Sequence, residues 1–182
     1  TGAETVNITA AVTQTAIVNA DDFETINLLV DDGAATVSTI TLADLDGSDA
    51  AGSTVVVTGT DNLVLTGGNS ANLNASGLSG TLTATVATDL KTITGGTGND
   101  SITLADFDVT INGGDGTDSL SFAGDMDLSD NTIAITNVEV INILANGGSD
   151  DTLTMLGSQI TGQTWVITGT DNATAHDIIA VT

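Results

Sequence analysis

Two nonapeptides of one pattern, beginning 18 residues apart, constrain this chain more than any other feature of its sequence. Residues 95–103 read Gly-Gly-Thr-Gly-Asn-Asp-Ser-Ile-Thr, and residues 113–121 read Gly-Gly-Asp-Gly-Thr-Asp-Ser-Leu-Ser. Glycine allows the backbone to curl through conformations with positive φ, so each copy predicts a tight loop that leads into a strand. An ordinary Gly-Asn-Asp hairpin turn at each place is the alternative interpretation.

The rest of the chain is dominated by β-strand signals. Short runs rich in Thr, Val, Ile and Leu recur about every ten residues and are separated by Gly, Asn and Asp clusters, with no helical period between them. These runs cover residues 5–9, 15–18, 25–30, 37–42, 54–58, 63–66, 82–86, 102–104, 109–111, 120–122, 133–135, 138–144, 153–156, 165–168 and 178–181. They predict an all-β chain, either a solenoid or a sandwich.

An internal duplication divides the chain. Residues 23–29 (Phe-Glu-Thr-Ile-Asn-Leu-Leu) reappear at 138–144 as Val-Glu-Val-Ile-Asn-Ile-Leu, and residues 55–62 return at 165–172 with the shared ending Thr-Gly-Thr-Asp-Asn. We therefore predict an N-terminal β unit at 1–62 and a C-terminal β unit at 138–182. A middle segment, 63–137, contains both nonapeptides.

Charge limits the partners. The chain has 24 Asp plus Glu against a single Lys and no Arg, a net charge of −23, and it has no Cys and no Pro. It cannot neutralise phosphates, so nucleic acid and anionic membrane surfaces are excluded, and no apolar run approaches the ~18 residues that span a bilayer. Disulfides and thiolate metal sites are excluded as well. A cation is the partner that this charge attracts.

The nonapeptides fit the pattern G-G-x-G-x-D-x-U-x, in which U is apolar, and so resemble the repeats of RTX calcium-binding β-rolls. The resemblance implies that two nonapeptides form one turn, so that motifs 18 residues apart stack on one edge. Asp100 and Asp118 would then approach one Ca²⁺ from successive turns. Carbonyl groups of the glycine loops would complete an oxygen cage of the kind that Ca²⁺ prefers, at Gly96, Gly98, Gly114 and Gly116. The implied fold is an all-β, parallel calcium-binding β-roll or β-solenoid with two duplicated flanking β units.

Other acidic clusters lack this pattern. Residues 104–112 contain no glycine, so the opposite edge of the roll has no second regular site. We expect solvated acidic loops rather than metal sites at the remaining clusters, which are Asp31/Asp32, Asp44/Asp46/Asp49, Asp125/Asp127/Asp130 and Asp150/Asp151.

A broader resemblance concerns function. The phrases at 74–80 and 137–143, with the near absence of Lys, Arg, Cys and aromatic residues, are similar to those of bacterial surface-layer proteins that carry RTX-type repeats. The resemblance implies a secreted, calcium-dependent structural protein at the bacterial cell surface, which forms a homo-oligomeric lattice or filament. The alternative is the calcium-folding, type I secretion module of an exported RTX enzyme, toxin or adhesin, because residues 177–182 vaguely resemble type I export tails.

No enzyme signature stands out, and we predict no catalytic residues. His176 is the only histidine, and Trp165, at the place of Val55 in the duplication, is expected to be a core residue. Thr-x-Thr pairs at Thr39/Thr41, Thr81/Thr83, Thr92/Thr94 and Thr152/Thr154 resemble those of ice-binding solenoids. Their irregular spacing predicts no flat threonine array, and we expect threonines on the solvated faces of strands.

Overall fold

The computed structural model describes residues 4–10, 15–19, 23–31, 33, 37–44, 53–67, 72–86, 91–104, 109–129, 134–144, 150–170 and 176–182. Strands make up nearly all of its regular structure. They are β1 (Thr5–Ala10), β2 (Thr15–Asn19), β3 (Thr25–Val30), β4 (Val37–Asp44), β5 (Thr54–Gly59), β6 (Asn62–Gly67), β7 (Asn72–Leu78), β8 (Leu82–Val86), β9 (Thr92–Thr94), β10 (Ser101–Leu104), β11 (Thr110–Asn112), β12 (Ser119–Ala123), β13 (Met126–Asp127), β14 (Ile135–Thr136), β15 (Val140–Leu144), β16 (Thr152–Met155), β17 (Val166–Gly169) and β18 (Ile178–Val181). One short helix, α1 (Gly157–Ile160), lies between β16 and β17.

Successive strands alternate between two large sheets. The seven-stranded sheet has the order β1-β3-β5-β7-β9-β11-β14, and the eight-stranded sheet has the order β17-β15-β12-β10-β8-β6-β4-β2. A third sheet has the order β13-β16-β18. Every strand pairing that the structure describes is parallel, as in β3 with β5 and β10 with β12. The expectation of an all-β, parallel fold is therefore confirmed at this level.

The core is built by alternation of buried and outward residues along many of the strands. In β8, Leu82, Ala84 and Val86 are buried, whereas Thr83 and Thr85 are exposed. Register then aligns buried residues of neighbouring strands, so that apolar side chains form continuous rows and add to one core cluster. One such row of the eight-stranded sheet contains Ile40, Leu65, Ala84, Ile102, Leu120 and Ile141. Burial of these rows is the main favourable contribution to folding.

The eight-stranded sheet continues across both expected unit boundaries. β4 pairs with β6 across residue 62, and β12 pairs with β15 across residue 137. The seven-stranded sheet crosses only the first boundary, where β5 pairs with β7, because its last described strand is β14. Strands from the three predicted segments therefore share the eight-stranded sheet. The division into units at 1–62, 63–137 and 138–182 stays a prediction from the duplication.

The two copies of the duplication lie in opposite sheets. β3 and β5 belong to the seven-stranded sheet, whereas β15 and β17 belong to the eight-stranded sheet. Their registers also differ, because Ile26 pairs with Val55 but Ile141 pairs with Ile167. Trp165 therefore does not take the place of Val55. It lies just before β17 and packs, partly buried, against the core, so its expected core role is confirmed from a different position.

Candidate metal centre

The two nonapeptide loops lie side by side. Ser101 pairs with Ser119 at the start of β10 and β12, and Thr94 pairs with Asn112 at the end of β9 and β11. Between these pairs, the Asp115 N–H donates a hydrogen bond of 3.0 Å to the Gly96 carbonyl. Because every step is in register, the 18-residue spacing places Asp100 and Asp118 at equivalent positions of neighbouring loops.

Asp100 is buried and fully engaged with backbone donors. It is 1% exposed, and its Oδ1 accepts the Leu82 N–H at 2.8 Å while its Oδ2 accepts the Gly96 N–H at 2.7 Å. Burial raises the pKa of Asp100, and the two N–H donors oppose that increase. The Asp100 carboxylate thus joins its own loop to β8, the neighbouring strand of the eight-stranded sheet.

Asp118 repeats only half of this arrangement. It is also 1% exposed, and its Oδ1 accepts the Asp100 N–H at 2.7 Å, but its buried Oδ2 has no hydrogen-bond partner. The equivalent donor, the Gly114 N–H, bonds instead to Asn112 Oδ1 at 3.2 Å. Burial raises the pKa of Asp118 to about 6, and the neighbouring charges of Asp100, Glu139 and Asp115 add to the increase. An unpaired acceptor in the interior is rare and calls for an explanation.

Glu139 extends the stack by one strand. Its Oε2 accepts the Asp118 N–H at 2.7 Å, just as Asp118 accepts the Asp100 N–H. We call Asp100, Asp118 and Glu139 the acid column. The sequence analysis did not identify Glu139. The duplication offered a signal, because Glu139 aligns with Glu24. The Glu24 carboxylate accepts the Glu4 N–H beside the other large sheet.

The four glycines whose carbonyl groups were predicted as calcium ligands have a packing role that the sequence did not reveal. A Cβ atom on Gly96 would lie 2.2 Å from the Leu78 carbonyl oxygen, and one on Gly114 would lie 2.1 Å from the Gly96 oxygen. Gly98 and Gly116 approach the preceding loop in the same way, at 2.5 and 2.4 Å. These distances exclude any side chain. Positive φ applies to Gly114 and Gly116 but not to Gly96 and Gly98, so the two loops differ in backbone conformation.

Oxygens converge instead beside Gly113. A Cβ atom there would lie 1.8 Å from the Asn137 carbonyl oxygen and 2.5 Å from Asp118 Oδ2. Asn137 adopts φ 50°, the left-handed region in which asparagine is among the more tolerant residues. A carbonyl and an unpaired carboxylate oxygen, with Glu139 and Asp115 nearby, form a donor set that suits a hard cation.

The expected site between Asp100 and Asp118 therefore takes a different form. The structure brings the two residues together, but the Asp100 N–H, rather than an open space between two carboxylates, faces Asp118 Oδ1. Each Asp100 oxygen accepts a hydrogen bond, whereas Asp118 Oδ2 accepts none, so Asp118 Oδ2 is the more available of these oxygens for a cation. Within the described residues, no three His, Cys, Asp or Glu side chains are arranged to hold a metal ion. A cation here would depend on carbonyl oxygens as well as Asp118.

Of the other acidic clusters, Asp151 is only 3% exposed, so the expectation of a solvated acidic loop is wrong for it. The other described acids of these clusters are exposed and cap local turns or neighbouring strands. Asp125 Oδ1 accepts the Thr152 N–H, and Asp150 Oδ1 accepts the His176 N–H. Hydrogen bonds from the Ser129 hydroxyl and N–H lower the pKa of Asp127, while Asp31 accepts the Gly33 N–H. The side chain of Asp44 and the residues Asp32, Asp46, Asp49 and Asp130 lie outside the described part of the chain.

Comparisons with protein-family models, with curated proteins and with solved structures find no match. Among the described residues, no helix has both the length and the apolar character needed to cross a membrane. The geometry of the acid column is therefore the basis on which we infer a function.

Proposed function

We propose that this chain is a non-catalytic structural protein that binds Ca²⁺ at the acid column, is secreted by a bacterium, and assembles with copies of itself at the cell surface. The observation that carries the proposal is the buried, unpartnered Oδ2 of Asp118 beside the Asn137 carbonyl. The finer fold that we propose is a β-solenoid. Its support is the alternation of successive strands between two parallel sheets.

Electrostatics favour a divalent ion at this position. A buried carboxylate without a positively charged partner lowers the stability of the fold, and it either takes up a proton or acquires a counter-charge. Within the described residues, the one contact between a basic and an acidic side chain at ion-pair distance is that of His176 Nδ1 with Asp150 Oδ1, 3.8 Å apart and in a different part of the chain. No basic side chain among them is paired with Asp118. Ca²⁺ tolerates irregular sets of carboxylate and carbonyl oxygens, whereas Mg²⁺ demands near-ideal octahedral geometry. Asp118 and the Asn137 carbonyl would hold the ion, with Glu139 supplying nearby negative charge.

Extracellular calcium is suited to such a site. Extracellular modules bind Ca²⁺ with dissociation constants of about 10⁻⁴ to 10⁻³ M, so a site of this kind fills outside the cell. At a hundred times its dissociation constant, the ion adds roughly 2.7 kcal/mol to the stability of the folded state. Folding would then follow export.

Exposed apolar residues support self-assembly. Among the described strands, β17 is outermost in the eight-stranded sheet and β18 in the third sheet. These two strands expose Val166, Ile178, Ile179 and Val181, each between 44% and 58%. Exposed large apolar side chains grouped in this way are typical of a protein–protein contact, which a second copy of the chain can supply.

Thermal melting with and without Ca²⁺ tests the calcium site. We expect millimolar Ca²⁺ to raise the melting temperature of the native chain and to raise it much less in Asp118→Asn, because asparagine removes the charge but keeps a similar shape. Asp125→Asn is the matched control, since Asp125 is exposed and its Oδ1 acceptor is retained. An equal calcium response in Asp118→Asn and the native chain would place the ion elsewhere and refute the site.

Electron microscopy of the purified chain in Ca²⁺ and in EGTA tests assembly. We expect layers or fibres in Ca²⁺ that dissolve in EGTA. A chain whose melting depends on calcium but which stays monomeric would support the alternative function, a calcium-folding secretion module. Particles that are identical in both buffers would contradict calcium-dependent assembly.

A further inference from the structure

The seven-stranded sheet lacks a strand where the repeating path of the chain would place one. β12, β13 and β14 belong in turn to the eight-stranded sheet, the third sheet and the seven-stranded sheet. β15 and β16 repeat the first two steps, and β17 and β18 begin the next round. The place between β16 and β17 therefore corresponds to the seven-stranded sheet. Residues 156–165 occupy it, and they contain α1 and no strand. We call them the cap segment.

β14 has an edge that no described strand covers. On one side, its Ala134 and Thr136 carbonyls accept the Ile111 and Gly113 N–H groups of the β11 side at 2.8 and 2.9 Å. In parallel sheets, alternate residues direct their N–H and C=O groups to opposite neighbours, so those of Ile135 lie on the side away from β11. Among the described strands, none pairs with β14 on that side. Such an edge is a template for another strand.

The cap segment faces this edge but does not pair with it as a strand. A cavity of about 230 Å³ separates parts of the two, and its lining includes Ala134 and Ile135 from the edge. Gln159, Gln163 and Trp165 line it from the cap segment. The cap segment therefore takes the place of a strand without forming the ladder that would hold a strand there.

Side chains attach the cap segment to the fold. Gln159 Nε2 donates a hydrogen bond to the Leu128 carbonyl, and Gln159 Oε1 accepts the Leu156 N–H at 2.7 Å. Ile160 and Trp165 are partly buried and pack against the core cluster. A few side-chain contacts thus keep the β14 edge closed.

A second copy of the chain has a strand that matches this edge. Among the described strands, β1 is outermost on the opposite side of the seven-stranded sheet. One apolar row runs in register from β1 to β14 and consists of Val6, Ile26, Val55, Leu73, Ile93, Ile111 and Ile135. If β1 of a second copy paired with β14, its Val6 would follow Ile135 and continue the row in parallel order. A head-to-tail contact of this kind does not close on itself and leads to fibres.

We propose that the cap segment is an edge cap, which closes a latent pairing surface on β14 against β1 of a second copy of this chain. Natural sheets commonly cover an edge with a helix or loop to prevent edge-to-edge association. The inference goes beyond the function proposed above, because it identifies a contact that the folded chain avoids. It depends neither on the calcium site nor on the exposed apolar residues of β17 and β18.

Sedimentation velocity of cap variants tests the proposal, in saturating Ca²⁺ and at a protein concentration below that at which the native chain assembles. We expect Gln159→Ala to loosen the cap segment, and Gln159→Ala with Trp165→Ala to release it. Release should shift the chain from monomers to dimers and longer species that bind thioflavin T. Gln163→Ala is the matched control, because Gln163 lines the same cavity but is exposed, and its backbone N–H keeps its bond to Ile160. It should stay monomeric.

Adding Ile135→Pro to the released variant separates strand pairing from general stickiness. Proline removes the N–H at the open edge and leaves the Ala134 and Thr136 carbonyls that bind the β11 side, so monomers should return. Circular dichroism checks that the sheets persist, and hydrogen exchange of residues 156–165 checks that the cap segment has opened.

Three results would overturn the proposal. They are a released variant that stays monomeric, oligomers that form equally in Gln163→Ala, and oligomers that persist with Ile135→Pro. Free hydrogen exchange of the cap segment in the native monomer would also overturn it, because an open segment closes nothing. A native chain that never assembles in Ca²⁺, with the expected differences among the variants, would refute only the function proposed above.

Discussion

Asp100 and Asp118 occupy equivalent places in two nearly identical nonapeptides, yet only Asp100 has a partner for each carboxylate oxygen. The difference in hydrogen bonding arises from the residues that stack next to each aspartate. Asn137 and Glu139 follow Asp118 in the stack. Gly114 and Gly116 of the second nonapeptide adopt positive φ, and the Gly114 N–H donates to Asn112 Oδ1. The unequal surroundings leave Asp118 with a buried oxygen that can take up a proton or, under the proposed function, bind a cation.

Lowering the pH stabilises the calcium-free fold through Asp118. Its folded pKa of about 6 lies above the ordinary value of 3.8, so the folded state binds the proton more tightly. The stabilisation is fully present below the ordinary pKa and is lost as the pH rises through about 6, and its size is about 3 kcal/mol. In EGTA, urea titrations of the native chain between about pH 7 and pH 4 should show this gain.

Asp118→Asn should show a smaller gain over the same interval, whereas Asp125→Asn should follow the native chain. Protonation of other carboxylates affects all three proteins alike, so the difference between variants isolates Asp118. Parallel stability curves for Asp118→Asn and the native chain would contradict a raised pKa at this residue.

Close contact between loops makes Gly114 intolerant of a side chain. An added Cβ would lie 2.1 Å from the Gly96 carbonyl oxygen, and the residue also has φ 105°. Overpacking of this kind costs about 1–3 kcal/mol, and a left-handed conformation costs roughly 1–2 kcal/mol more. Gly114→Ala should therefore lower the free energy of unfolding by several kcal/mol.

Gly162→Ala separates the two causes, because Gly162 has φ 81° but open space around its Cα. It should lose only the conformational part, about 1–2 kcal/mol, in the same urea titration. Equal losses in the two variants would mean that steric contact between the loops contributes nothing.

At the scale of elements, alternating strands were predictable and their pairing was not. The runs at 25–30, 82–86 and 178–181 coincide with β3, β8 and β18, because β-branched and apolar residues are concentrated there. β7 was not predicted, since its sequence Asn-Leu-Asn-Ala-Ser-Gly-Leu has few β-favouring residues. It forms because Leu73 and Ala75 are buried between neighbouring strands.

Register is a tertiary property that local sequence does not contain. The nonapeptides disclosed the stacking of Asp100 on Asp118, because their spacing is regular. The participation of Glu139, and the alignment of Thr66 with Thr85, depend on loops of unequal length. The number of residues in each loop becomes known only when the pairing of the strands is known.

Neighbouring residues of β8 should differ sharply in their effect on stability. Leu82 is fully buried, whereas Thr83 points outward and is exposed. Leu82→Ala should lower the free energy of unfolding by about 2–5 kcal/mol through lost burial and a cavity. Thr83→Ala should change it by about 0.5 kcal/mol or less. Urea denaturation compares the two, and similar losses would show that β8 does not present one face to the core.

At the scale of the whole molecule, charged residues are separated from the strands of the two large sheets. Apart from Asp44 at the end of β4, no described strand of the two large sheets contains a charged residue. Most of the acids lie in sequence between these strands. Where the structure describes stacked loops, as at Asp100 and Asp118, their like charges repel. A net charge of −23 with a single Lys leaves this repulsion to be relieved by ions from the solvent.

Monovalent salt should therefore stabilise the chain, and calcium should do more than screening explains. Raising the ionic strength from about 0.01 M to about 0.15 M shortens the Debye length from about 30 Å to about 8 Å, so the melting temperature should rise in NaCl. At matched ionic strength, CaCl₂ should raise it further in the native chain than MgCl₂ does. Asp118→Asn should keep the NaCl response and lose most of the extra calcium response, because screening acts on every loop, whereas under the proposed function the ion binds at one. Melting that is indifferent to NaCl would contradict repulsion as the force that opposes folding, and equal effects of CaCl₂ and MgCl₂ would contradict a calcium-selective site.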